Sequence, residues 1–424
     1  MKNFILKGDI CYSKTINEIC CSENSCLICE NGKSAGVYRE IPEKYKEYEV
    51  YDYSGKLIMP GFIDLHIHAP QFAFRGTGMD LELMEWLSVQ AFAEEARYSD
   101  EEYACRAYGL FAQMLRKSVT TRACIFATCH VPATKILMDC MEESGIVSYV
   151  GKVNMDREAP DTLRESDAYQ SADDTVKWLE SISGKYKRTF PILTPRFIPS
   201  CTDELLSELH KIQEKYDLPV QSHLSENPDE IEWVRKNVPD SKFYGDAYDR
   251  YGLFGRGAKT VMAHCVYPVI DEVERMKENE VFVAHCPASN MNLTSGIAPI
   301  RKYLDLGLNI GLGSDIAGGH SDSIFRAITD AIQVSKMYFR MVNEAYKPLV
   351  FSEAFYLATK GGGKFFGNVG SFEEGYEFDA VVMDDNVLPH PQSLNLTERM
   401  ERAVYLGLDE KNITAKFVAG RKII

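Results

Sequence analysis

Apolar residues follow two different rhythms along the chain. Up to about residue 57 they come in short runs typical of strands: Phe4-Ile5-Leu6-Lys7-Gly8-Asp9-Ile10, Cys26-Leu27-Ile28-Cys29, and Tyr48-Glu49-Val50-Tyr51-Asp52. Asn31-Gly32 follows the second run, and a dipeptide that tolerates positive φ at both positions marks a tight hairpin turn. Strands this short cannot bury both faces alone, so they need partners. The end of the chain offers them in 378–384 and 413–424, on either side of a helical stretch near 396–407. These segments predict one small β domain formed by residues 1–57 plus 375–424.

Between the two ends, short β-rich apolar runs alternate with longer amphipathic stretches. The strand candidates are 57–65, 119–127, 146–153, 192–197, 219–222, 260–263, 281–284 and 309–313. Stretches such as 203–216, 228–237 and 269–279 carry apolar residues at helical spacing. Eight such units across 58–374 predict an α/β fold, a (β/α)₈ TIM-type barrel. An open doubly wound sheet is the alternative, but it needs a phosphate-binding turn. Gly361-Gly362-Gly363-Lys364 continues with Phe365, where a phosphate loop requires Ser or Thr, and no Gly-x-Gly-x-x-Gly occurs.

With 424 residues, 45% of them hydrophobic, a large core is available. The net charge of −15 argues against a nucleic-acid partner, which calls for a basic face. No apolar run reaches the roughly 18 residues of a membrane span. The opening stretch lacks the pattern of a secretory leader, so a cytoplasmic setting is expected, in which the 12 cysteines stay reduced. Cys26 and Cys29 have the spacing of half a zinc knuckle, but with no second pair they read as strand residues.

The chemistry concentrates in the histidines. In Met59-Pro-Gly-Phe-Ile-Asp64-Leu-His66-Ile-His68, side chains two apart on a strand point the same way, so His66 and His68 would enter one mouth together. Alone, such a pair equally suits ordinary packing. Yet His223, His264 and His285 also sit at the ends of predicted strands, and Asp315 follows another in Gly313-Ser-Asp315. Active sites of such barrels lie at this face. His66, His68, His223 and Asp315 offer N, N, N and O to one divalent ion, zinc or ferrous iron. Glu226, three residues past His223, is the candidate proton shuttle, although Asn227-Pro228-Asp229 also fits a helix cap. His130, His210, His320 and His390 fall in predicted loops or helices and read as ordinary.

These residues, with His285-Cys-Pro-Ala-Ser-Asn290, resemble the amidohydrolase superfamily over nearly the whole chain. That resemblance implies a metal-dependent barrel with a small β-sandwich from both chain ends. Within it, His68-Ala69-Pro70-Gln71-Phe72, Leu83-Met-Glu-Trp86, Thr194-Pro-Arg196-Phe197 and Ser222-His223-Leu-Ser-Glu226 are similar to the guanine deaminases. Membership there would assign Ala69, Pro70, Gln71, Arg196, Phe197, His223, Glu226 and Asp315 to substrate binding. Gln71 and Arg196 would meet the ring edge, and Phe197 its face. Glu226, Asp315 and His264 would be catalytic, and the chain a homodimer that converts guanine to xanthine and ammonia. Arg75–Trp86 is the expected pocket loop. Two departures stand out: the Cys20–Cys29 stretch fits no family pattern, and Tyr267 replaces a frequent His.

Three alternatives remain open at this level. A deaminase of another amino-heterocycle, such as adenosine, 8-oxoguanine or cytosine, would share every metal ligand. A binuclear ring hydrolase would need a bridging lysine on the fourth strand, where Leu193-Thr-Pro-Arg196-Phe197 has none and Lys152 lies one strand earlier. A non-catalytic scaffold would be expected to have lost ligands that this chain keeps.

Overall fold

A computed structural model describes residues 2–408 and 410–424. Seven strands from both ends of the chain hydrogen-bond into one sheet, in the order Arg421–Lys422, Ile413–Val418, Ala380–Met383, Glu49–Pro60, Phe4–Thr15, Glu18–Glu30 and Lys33–Tyr38. The two ends meet edge to edge, with Val382 opposite Ile58. Alternation along the strands gives this sheet two apolar faces. Phe4, Leu6, Leu27, Cys29 and Phe417 share one cluster, while Ile5, Cys26, Ile28 and Tyr45 share another. Cys26 and Cys29 therefore face opposite sides of their strand and cannot converge on one ion. Asn31 and Gly32 have φ of 52° and 80°, the left-handed pair that a type I′ hairpin turn requires.

The central segment is built from parallel strands and intervening helices. Phe62–His68, Thr120–Phe126, Val147–Gly151 and Thr189–Pro191 pair in that order, and Val220–Leu224, Thr260–His264, Phe282–His285 and Asn309–Leu312 form a second parallel set. A parallel bridge from Leu193 to Val220 links the sets on one side. On the other, the Asp315 N–H donates to the His66 carbonyl at 2.9 Å and the His68 N–H to that of Ile316 at 3.1 Å.

Helices Asp203–Tyr216 and Pro228–Asn237 have the predicted bounds because each carries a local start signal. Thr202 accepts the Leu205 N–H at 3.2 Å, and Asn227 that of Asp229 at 2.9 Å. The run at 57–65 behaves differently, since it splits into two strands around Gly61. There a side chain would lie 2.0 Å from Thr121 Oγ1, so only glycine lets the chain cross from the outer sheet to the inner strands. Likewise 192–197 holds only the short strand Thr194–Pro195, beyond Thr189–Pro191.

Two buried cations tie the chain ends to the central segment. Lys416 Nζ donates to the carbonyls of Leu115, Arg116 and Ser118 at 2.9, 3.1 and 2.8 Å, which adds to the capping of the last turn of helix Glu101–Lys117 by Ser118. Arg122, on strand Thr120–Phe126, grips Asp379 through Nε at 2.7 Å and Nη2 at 3.2 Å, and Glu377 at 2.6 Å. Removing one member of a buried pair strands the other charge, so Arg122→Ala is expected to lose about 3–5 kcal/mol, read as a lowered unfolding midpoint in denaturant. Among the described residues no helix is long and apolar enough to cross a membrane.

Candidate active site

The C-terminal ends of the inner strands bring the predicted chemistry together. His66 and His68 end Phe62–His68, His223 lies in Val220–Leu224, His264 ends Thr260–His264, and Asp315 follows Asn309–Leu312. The backbone bends sharply there, with left-handed φ of 71° at His264 and 47° at both Ser225 and Asp315. Such non-glycine positions cost about 1–3 kcal/mol each and cluster where a side chain must be aimed. Asp64 fixes the seam between the first and last inner strands by accepting the His66 N–H at 3.2 Å, the Ser314 N–H at 3.0 Å and the Ser314 hydroxyl at 2.5 Å. Burial lifts its carboxyl to about 7 in spite of these donors.

The donor atoms converge closely. Asp315 Oδ1 lies 3.2 Å from His66 Nε2 and 3.6 Å from His68 Nε2, and the Nε2 atoms of His68 and His223 are 3.2 Å apart. His66, His68 and Asp315 offer atoms all within 4.8 Å of one another, as do His66, His223 and His264. The His223 Nδ1 sits 2.6 Å from the Arg196 carbonyl, an acceptor, so Nδ1 carries the proton and Nε2 keeps its lone pair. His68 Nδ1 is buried without a hydrogen-bond partner, and His66 Nε2 faces only the Asp315 carboxylate. A cluster of buried imidazole lone pairs beside a carboxylate is costly by itself and matches the N/O donor set of a divalent cation.

His264 and Glu226 form a second layer of the site. His264 Nδ1 meets Asn290 Oδ1 at 2.9 Å, and its Nε2 lies 3.4 Å from Glu226 Oε2 and 3.7 Å from Asp315 Oδ2. Ser295 Oγ donates to Glu226 Oε1 at 3.0 Å. Burial, against the pull of His264 and with the repulsion of Glu230 and Asp315, raises the Glu226 carboxyl to about 7. Burial pushes Asp315 upward as well, but the imidazoles of His66 and His264 bring it down to about 2. Burial lowers His66, His68 and His223, whereas in His264 the carboxylates of Glu226 and Asp315 outweigh it and raise the imidazole.

One cavity joins these groups. His68, Gln71, Arg196, Glu226, His264 and Asp315 form its polar wall, and Leu83, Trp86, Leu87, Phe197 and Leu293 its apolar wall. Leu83 and Trp86 come from the predicted pocket loop, while Ala69 and Pro70 open the 3₁₀ turn Ala69–Phe74 that carries Gln71 and are not among the lining residues. His285 lies outside the donor groups; both its ring nitrogens lack partners, and burial lowers its imidazole to about 3. Lys152 pairs with Glu165.

Three residues of the site carry no assignment from the sequence. Asp64 stands inside the His66 motif, and its spacing gave no role. Glu230 borders the cavity, accepting the Glu226 N–H at 3.1 Å and the Tyr244 hydroxyl at 2.6 Å, yet in sequence it is one more acid after a helix cap. Glu95 bridges Gln71 and Arg196, and nothing around it in the chain marks it.

The amidohydrolase family model matches residues 57–423. A guanine deaminase from Dictyostelium discoideum is 38% identical over 386 residues, 89% of this chain and 85% of that protein. One from Escherichia coli (strain K12) is 36% identical over 406 residues, 93% of this chain and 87% of that one. A crystal structure of guanine deaminase from C. acetobutylicum with bound guanine in the active site is 46% identical, covers 100% of both chains and superposes with a TM-score of 0.96.

Proposed function

The chain belongs to the amidohydrolase family, and we propose that it hydrolyses guanine to xanthine and ammonia. The observation that carries this reading is the meeting, in one buried cavity, of a His/His/His/Asp donor set with an acid of raised pKa and a guanidinium. We read the eight parallel strands as a closed (β/α)₈ barrel over 58–374, supported by the hydrogen bonds that link both sides. We likewise read residues 1–57 and 375–424 as one small β-sandwich domain, in which the seven-stranded sheet folds over on itself, supported by the Phe4 and Phe417 rings stacking 5.1 Å apart although two strands lie between theirs.

His66, His68, His223 and Asp315 would hold one divalent ion, zinc or ferrous iron. When bound, it supplies a Lewis acid that lowers the pKa of a water molecule to about 7. Arg196 and Gln71 donate to the purine's edge, with Phe197 against its face and Leu83 and Trp86 excluding solvent. Water adds to C2 while Glu226 gives its proton to N3, so no negative charge builds on the ring. Asp315, backed by His264, takes the first proton of the water and passes it to the amino group, which leaves as ammonia. Glu226 recovers its proton from the new C2 hydroxyl, and the carbonyl of xanthine forms. The free thiols suit the reducing cytoplasm, and family resemblance supports a homodimer.

The test is turnover of metal-replete protein on guanine, followed by ammonia release and the ultraviolet change to xanthine, with adenine, adenosine, cytosine and 8-oxoguanine alongside. Guanine is expected to be the substrate. Arg196→Lys keeps the charge beside Glu95 but loses the planar fork, and should lower kcat/KM for guanine about 10- to 100-fold. Turnover confined to another heterocycle would overturn the assignment.

A further inference from the structure

We infer that Glu95 is a positioning residue that makes the pocket select a 6-oxo purine over a 6-amino one, because it fixes which hydrogen-bonding groups Gln71 and Arg196 can present. The inference rests on guanine being the substrate and concerns how the site recognises it.

Glu95 ends helix Phe92–Glu95 and is fully buried. Its carboxylate touches two residues assigned to the purine: Gln71 Nε2 donates to Oε1 at 2.9 Å, and Arg196 Nη1 to Oε2 at 2.5 Å. The guanidinium carbon also sits 5.0 Å from the centre of the Phe92 ring, three residues earlier on the same helix. A buried guanidinium needs a counter-charge, and this carboxylate supplies it. At the other end of the Gln71 amide, Oε1 accepts the Ala317 N–H at 3.0 Å.

An amide can flip, exchanging its acceptor and donor ends. Here both neighbours choose the same orientation. A flipped Gln71 would press its oxygen on the Glu95 carboxylate and its NH₂ on the Ala317 N–H. With the amide so locked, its oxygen takes the Ala317 N–H and one of its own N–H groups goes to Glu95, which leaves a ligand the second N–H and one lone pair on the oxygen. Arg196 has only donors, one of which Glu95 takes. At the edge formed by Gln71 and Arg196, N–H donors therefore outnumber the single free lone pair, which is complementary to the 6-oxo oxygen of guanine. A 6-amino group would turn donors against donors. Unpaired buried polar groups are what give such sites their discrimination.

The experiment compares kcat/KM for guanine and 2,6-diaminopurine, which keeps the reacting C2 amino group and replaces the 6-oxo and its N1–H by a 6-amino group and a bare N1, in the metal-replete wild type and in Glu95→Gln. A ratio of about 10⁴ in favour of guanine is expected for the wild type, as for sites built around one hydrogen-bonding group. In Glu95→Gln the new amide can donate to a flipped Gln71, so the ratio should fall at least tenfold, with the KM for guanine rising more than kcat falls. Melting temperature and metal content are read on both proteins. A wild-type ratio near one overturns the inference, and this arm needs no variant to fold. A folded variant that keeps the wild-type ratio also overturns it, because a purely structural Glu95 would lower both purines together. A metal-loaded wild type that turns over neither purine defeats the guanine assignment itself, and the inference with it.

Discussion

Glu226→Gln is expected to lower kcat for guanine by about 10²–10⁴-fold while metal content and melting temperature stay near those of the wild type. Gln is close to isosteric with Glu, so the acceptor facing Ser295 Oγ at 3.0 Å survives. The lost property is the exchangeable proton. A carboxyl lifted by burial to about 7 gives up and regains a proton at neutral pH with little driving force wasted, which is what a shuttle between N3 and the C2 hydroxyl requires. An ordinary solvated glutamate would be ionised and would have no proton to give. The loss should appear in kcat, since Gln71, Arg196 and Phe197 still hold the purine. Retained kcat in a metal-replete Glu226→Gln protein would remove Glu226 from the reaction.

The sequence reveals what is local or repeated. His223, His264 and Asp315 were legible because each comes at or just after an apolar run, and a barrel strand delivers its last residues to one face. Asn31-Gly32 was legible because its turn depends only on two backbone dihedrals. Long-range partners left no such trace. Glu95 acts on residues 24 and 101 positions away, and in its own helix it is an acid among other acids. The split of the 57–65 run was hidden for a similar reason, since what forces it is Thr121 crowding Gly61 from another strand. The joining of the two chain ends within one sheet depends on Val382 meeting Ile58, a pairing that hydrophobicity permits but does not specify.

Stripping the protein with a chelator is expected to abolish guanine turnover and to lower the melting temperature, with both restored by stoichiometric zinc or ferrous iron. The stability loss follows from what the cluster becomes without a cation. His68 and His223 hold their Nε2 atoms 3.2 Å apart, His68 Nδ1 has no hydrogen-bond partner, and His66 Nε2 faces only the Asp315 carboxylate. Protonating these rings would satisfy the lone pairs, but burial lowers all three imidazoles, so at neutral pH they remain neutral and poorly paired. A cation bound only by the folded state adds stability as RT ln(1 + [M]/Kd), about 4 kcal/mol at a thousandfold excess over Kd. His66→Ala should reproduce the stripped state in part: elemental analysis should show metal below one equivalent, turnover should vanish, and added chelator should shift the melting temperature less than in the wild type. Full turnover by protein shown to be metal-free would mean that Asp315 and His264 activate water unaided, and the four ligands would then need another reason to converge.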